Sequence, residues 1–176
     1  MDIKEENIEE KQESPLKKSL IVVLGICMIF LFFSYTFYNN GNHEILLGMI
    51  GSATLEKNII YLEGRTIEFE GRAFISLVEH YVANDGNEIK ACLMGRKEEN
   101  KIILSQIYFP RIYSSAFNSV KAEPCPKETL LSIHSHPNRR CMPSSQDMDN
   151  YEYMRLQSPD MMVAILCDTG RLYFYD

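Results

Sequence analysis

Nothing constrains the fold of this 176-residue chain as much as "LIVVLGICMIFLFFSYTFY", the nineteen residues from Leu20 to Tyr38 without one charge. At about 1.5 Å per residue, a helix of that length approaches the ~30 Å hydrocarbon core of a bilayer. Ser34 and Thr36 can bond back to helix carbonyls, and Tyr35 and Tyr38 suit a membrane–water interface. A buried core helix is seldom apolar on every face over this length. A cleaved signal peptide has a shorter apolar run, a positive n-region and a small-x-small cleavage site, and none of these is clear here. The run therefore predicts a retained membrane-spanning helix over 19–38, through which the chain partners a bilayer.

Residues 1–18 carry six acidic and four basic side chains and little apolar surface, which predicts a disordered polar tail. Lys17 and Lys18 abut the apolar run, whereas the first Lys or Arg beyond Tyr38 is Lys57. The positive-inside rule then places the N-terminus in the cytoplasm and the remainder outside. Of five cysteines, Cys27 lies in the apolar run, where a thiol packs as a small hydrophobe. Cys92, Cys125, Cys141 and Cys167 have no CxxC spacing, which indicates neither a zinc ribbon nor a redox dithiol. A Cys125–Cys141 bridge is one pairing open to an oxidising compartment, and four free thiols would instead suit the cytoplasm. The formal net charge of −6 argues against a nucleic-acid partner, since phosphate binding needs clustered cations and Arg139-Arg140 is the nearest such cluster.

Beyond the apolar run, "NNGNHE" (39–44) breaks the helix, and 39–70 reads as linker and extension, with Thr66–Glu70 alternating like a short strand. "RAFISLVEHYVAN" (72–84) spaces Phe74, Leu77, Val78 and Tyr81 by three and four, an amphipathic helix stopped by Asn84-Asp85-Gly86. "EIKACLMG" (88–95) and "KIILSQIYF" (101–109) are strand-like runs joined by "RKEEN". The polar stretch 110–128 reads as a loop or flap. "TLLSIHSH" (129–136) is a strand, "SSQDMDNYEYMRLQ" (144–157) a helix, and "DMMVAILC" and "RLYFYD" form a hairpin across "DTG". Composition is that of a globular domain, and the order predicts one α+β domain at 71–176 with a mixed β-sheet flanked by helices.

The chemistry gathers in "LLSIHSHPNRRCMPSSQDMDNY" (130–151). Side chains at i and i+2 of a strand share a face, so His134 and His136 converge while Ser135 turns away, toward a packing or backbone-bonding role. Two imidazoles so placed can reach one ion at ~2.0–2.1 Å, and Asp147 is the natural third ligand. Pro137 and Pro143 stiffen the loop between them. Two histidines and a carboxylate leave a fourth position for water, the pattern of catalytic sites, and imidazole–carboxylate ligation suits Zn²⁺. Ser144-x-x-Asp147 also fits a helix cap with an acid at its third position, and both roles can hold together. His43 and His80 are isolated and are not expected to be ligands.

His134-Ser135-His136-Pro137, six residues, then Ser144-x-x-Asp147 resembles the H-[ST]-H-P-x(6)-S-x-x-D signature of the JAMM (MPN+) metalloproteases. That family also carries an upstream glutamate on a first core strand, which Glu88 of "EIKACLMG" matches, although "ACLMG" only approximates the usual pattern. The resemblance covers about residues 70–176 and implies a cytidine-deaminase-like MPN fold. It implies that His134, His136 and Asp147 bind Zn²⁺, that Glu88 is the general base, and that Ser144 donates to the oxyanion. The implied activity is hydrolysis of peptide or isopeptide bonds in a protein substrate, such as a conjugate of a ubiquitin-like modifier. Two other readings stand beside it: a catalytically silent MPN-like scaffold at the membrane, and a RadC-like protein, against which the acidic balance weighs.

Overall fold

The computed structural model describes residues 14–39, 42–84, 86–116, 119–136 and 140–175. Most of the expected tail, Asn40 and Gly41 of the expected linker, Asp85 at the helix stop, Phe117 and Asn118 of the expected loop or flap, and Pro137 to Arg139 of the loop between His136 and Asp147 (the ligand loop of the expected site) lie outside the described residues. Chain contacts divide the molecule into two units, Met1–Asn42 and His43–Asp176.

The first unit carries α1 (Pro15–Asn39), with the apolar run inside it. The helix is long and apolar enough to cross a membrane. The Thr36 hydroxyl donates to the Phe32 and Phe33 carbonyls, 3.0 Å each, so its polar group is satisfied without water.

The second unit is mixed α/β. Eight strands form one sheet in the order β1-β10-β9-β8-β4-β5-β3-β2. The strands are β1 (Ala53–Thr54), β2 (Ile59–Leu62), β3 (Arg65–Phe69), β4 (Lys90–Lys97), β5 (Lys101–Tyr108), β8 (Thr129–Ser135), β9 (Met162–Asp168) and β10 (Arg171–Tyr175). Three helices accompany it, α2 (Asn42–Gly51), α3 (Ala73–Ala83) and α4 (Ser145–Gln157). The expected strands at 88–95, 101–109 and 129–136 and the helices at 72–84 and 144–157 are present with slightly shifted ends. The stretch expected as loop or flap contains a separate hairpin, β6 (Ile112–Ala116) with β7 (Ser119–Ala122).

Residues 39–70 are more than a linker and extension. They hold α2 and three strands, two of which are sheet edges: β1 pairs with β10, and β2 pairs with β3, which runs parallel to β5. Ile60 and Ile67 are wholly buried in the main core. The sequence hid this because β1 has two residues and β2 four, too short for alternation to register.

The pleat sorts the centre of the sheet. On β9, Ala164 and Leu166 face the main core, which also receives Phe74 and Leu77 of α3. Val163 and Ile165 face the other way and pack with Tyr151 of α4 and Tyr175. A strand buried on both faces reads as a continuous apolar run, as "MVAILC" does. Strands β8 and β9 are parallel, so the chain needs a crossover between them, and α4 supplies it. Where β4 bulges between Met94 and Gly95, a Cβ at Gly95 would stand 1.8 Å from the Ile103 carbonyl oxygen, so only glycine fits.

Candidate metal centre

His134 is paired with Ile165 across the parallel β8–β9 ladder, which puts its side chain on the face that carries α4. His136 follows one residue beyond the strand. Asp147 sits in the first turn of α4, just past the carboxyl end of β8, where open sheets with parallel strands commonly place their sites. The three side chains meet. His134 Nε2 lies 3.1 Å from His136 Nε2 and 3.2 Å from Asp147 Oδ1. His136 Nε2 lies 3.0 Å from Asp147 Oδ2. One ligand atom from each falls within 4.8 Å of the others, a group that could hold a metal ion. Two imidazole nitrogens and one carboxylate oxygen with no thiolate are the donor chemistry that Zn²⁺ accepts in open sites.

Helix capping is what holds Asp147 in this group. Ser144 adopts extended backbone (φ −80, ψ 167) and caps α4 in a complete capping box. The Asp147 amide donates to Ser144 Oγ at 3.2 Å, and the Ser144 amide donates back to Asp147 Oδ2 at 2.7 Å. The Ser144 hydroxyl also donates to Oδ2, at 2.6 Å. That single proton is therefore committed to Asp147, and donation to an oxyanion requires the hydroxyl to rotate. Burial alone would raise the Asp147 carboxyl. Hydrogen bonds from His134, His136 and Ser144, with the His134 charge, outweigh it and hold the group well below the usual carboxylate range.

Glu88 precedes β4 and lines the same cavity of about 810 Å³ as His134, His136, Ser144 and Asp147. Burial pushes its carboxyl up, His136 opposes this, and the Asp147 charge adds to it. Ser135 fixes Glu88's position from the opposite face. It is wholly buried, its amide donates to the Ile89 carbonyl at 3.1 Å, and its hydroxyl accepts from the Ile89 amide at 3.1 Å. The backbone-bonding role expected of Ser135 is thus observed, and it ties the segment that bears Glu88 to the end of β8. His43 and His80 lie outside the ligand cluster, and His80 stacks on Phe109 with ring centroids 4.0 Å apart.

Sequence reasoning missed Lys90. It is paired with His134 across the β4–β8 ladder, so it shares the site face and lines the cavity. Its ammonium donates to the Glu123 carbonyl at 3.1 Å, tying the exit of the β6–β7 hairpin to the site. The signal was available, since the i, i+2 rule that pairs the histidines also pairs Glu88 with Lys90. At the hairpin base the Glu123 carboxylate accepts from the Tyr108 and Tyr113 hydroxyls at 3.0 and 3.1 Å.

The cysteine pairing differs from the Cys125–Cys141 bridge considered from sequence. Cys92 joins Cys125, with Cα atoms 5.7 Å apart, and Cys141 joins Cys167, at 4.9 Å. Both bridges bracket the site, one fastening the hairpin exit to β4 and the other the ligand loop to β9. Strand order decides this, because β4 and β9 both flank β8 while the loops bearing Cys125 and Cys141 leave its opposite ends. No protein-family model matches this chain and no curated protein matches it, so the reading of the centre rests on its own residues.

Proposed function

We propose that this chain is a membrane-anchored, zinc-dependent hydrolase of the JAMM type, which cleaves peptide or isopeptide bonds in a protein substrate. The observation that carries the proposal is the convergence of His134, His136 and Asp147 on one point, with Glu88 lining the same cavity. A mixed sheet with its ligands on a strand end and the following crossover helix is consistent with an MPN-like fold.

Bound Zn²⁺ would supply a Lewis acid and a water of lowered pKa, near ~7. Glu88, half-buried and facing that centre, takes the proton of the attacking water and returns it to the departing nitrogen, so the C–N bond breaks with a neutral amine leaving instead of an amide ion. Asp147 stays charged throughout, anchored by the Ser144 amide. The Ser144 hydroxyl, once turned from Asp147, stabilises the oxyanion. Lys90 keeps the hairpin exit beside the cleft.

Two observations support a domain outside the cytoplasm: Lys17 and Lys18 before α1, and four cysteines arranged as two bridges. Ubiquitin-like conjugates are cytoplasmic, so on that side the substrate is an exported or envelope protein. The resemblance alone points to modifier conjugates.

The test compares wild type with Glu88→Gln on linear and isopeptide-linked substrates, alongside zinc content. The expected result is lost cleavage with one zinc retained. Retained cleavage rejects Glu88 as the base. A wild type that binds no zinc rejects the hydrolase reading and favours the silent scaffold.

A further inference from the structure

Helix α2 has two unlike faces. Gly48 is buried against the ligand loop, where a Cβ would stand 2.6 Å from the Cys141 carbonyl oxygen. On the same side Gly51 lies against Tyr173, and Glu44 forms an ion pair with Arg140 of the ligand loop. Arg171 of β10 closes the helix end, donating to Ser52 Oγ at 3.0 Å and to the Met49 carbonyl. The opposite face is apolar and open. Leu46, Leu47 and Met49 are each about half exposed, and Ile50 is 74% exposed. At 100° per residue these four span one contiguous arc of the helix.

We infer that this outward face of α2 docks on a lipid surface, seating the helix in the membrane interface and holding the ligand loop directly above it. The inference rests on the reading of α1 as a membrane span. The occupant follows from the chain itself, since α2 begins three residues after α1 ends, a tether of at most ~11 Å. A spanning helix delivers the next residues to the headgroup layer, where four open apolar side chains lose contact with water at low cost. Each contributes in proportion to the apolar area it removes from water. The face lacks basic residues, so the attraction is apolar and independent of anionic lipid. On the packed side position 48 is glycine because a larger residue there would lift the helix off Cys141 in the loop between His136 and Asp147. Lipid docking therefore fixes the height of the metal centre, about one helix diameter of ~10 Å plus the loop above the interface. Substrate bonds close to a bilayer surface are then within reach, and bonds far along an extended soluble partner are not.

The chain has no tryptophan, so single-tryptophan variants of the full-length protein report cleanly in proteoliposomes of neutral phosphatidylcholine. Ile50→Trp and Leu47→Trp probe α2, Phe30→Trp probes α1, and Leu156→Trp, on an 85% exposed position of α4, is the aqueous control. Lipids brominated near the glycerol carbonyls should quench both α2 probes roughly two-fold more than Leu156→Trp, with blue-shifted emission. Lipids brominated near the chain ends should quench Phe30→Trp. If Phe30→Trp is quenched while both α2 probes behave like Leu156→Trp, the α2 inference is overturned and the span stands; α2 probes shielded by a second copy give the same quenching pattern. If Phe30→Trp is also unquenched, both readings fall together.

Discussion

Replacing Cys141 and Cys167 together by serine is the perturbation that tests how the candidate centre is held. The bridge closes a ring with a sequence separation of 26, containing Asp147, all of α4 and most of β9. In the chain-entropy description, a ring of that size constrains the unfolded chain by about 3.5 kcal/mol at 25 °C. The unit from His43 to Asp176 has an unfolding entropy of about 280 cal/mol/K at ~2.1 cal/mol/K per residue. The quotient is a fall in Tm of about 12 °C. Both sulfurs are buried, so no solvent-exposed group is created that could offset the loss. The assay is thermal unfolding followed by near-UV circular dichroism, for which the ten tyrosines suffice. Wild type, the double serine variant and reduced wild type are compared in detergent with zinc absent. Reduction also opens the Cys92–Cys125 ring, with its separation of 33, and should lower Tm further. A shift below about 3 °C in the double variant, with thiol counting that finds Cys141 and Cys167 unpaired in wild type, would refute the pairing and the argument built on it.

Ser144→Ala removes the cap and one of the hydrogen bonds to Asp147, so stability should fall by about 1 kcal/mol and zinc affinity should weaken; Ser144→Thr, which keeps the hydroxyl, should restore both, as read by metal titration and chemical unfolding. The two carboxylates of the centre should respond to pH with opposite signs in the metal-free chain. Burial raises Glu88, so its contribution is favourable while protonated and is lost as pH rises; Glu88→Gln should therefore raise Tm at neutral pH, the gain vanishing below the ordinary carboxylate range. Asp147 is held low against its burial by its hydrogen bonds, so its contribution is present at neutral pH and lost on acidification. Asp147→Asn should lower Tm at neutral pH, and an increase there would contradict the hydrogen-bond scheme.

The sequence by itself determined whatever obeys a local rule. An apolar run longer than any buried helix needs marked α1. Period-two spacing set His134 and His136 on one face, and the S-x-x-D spacing marked the cap that aims Asp147. Those rules act within a few residues, so they survive being read without a fold. Tertiary structure decided what depends on strands meeting across the sheet. Lys90 joined the site because β4 lies beside β8 in a register that pairs it with His134. The cysteines paired as Cys92–Cys125 and Cys141–Cys167 because β4 and β9 flank that same strand. Residues 59–69 joined the sheet as β2 and β3 because Ile60 and Ile67 found the main core, a burial that strands of four and five residues cannot announce. Pairing across the sheet is a long-range event, and only the assembled fold supplies the partners that stabilise it.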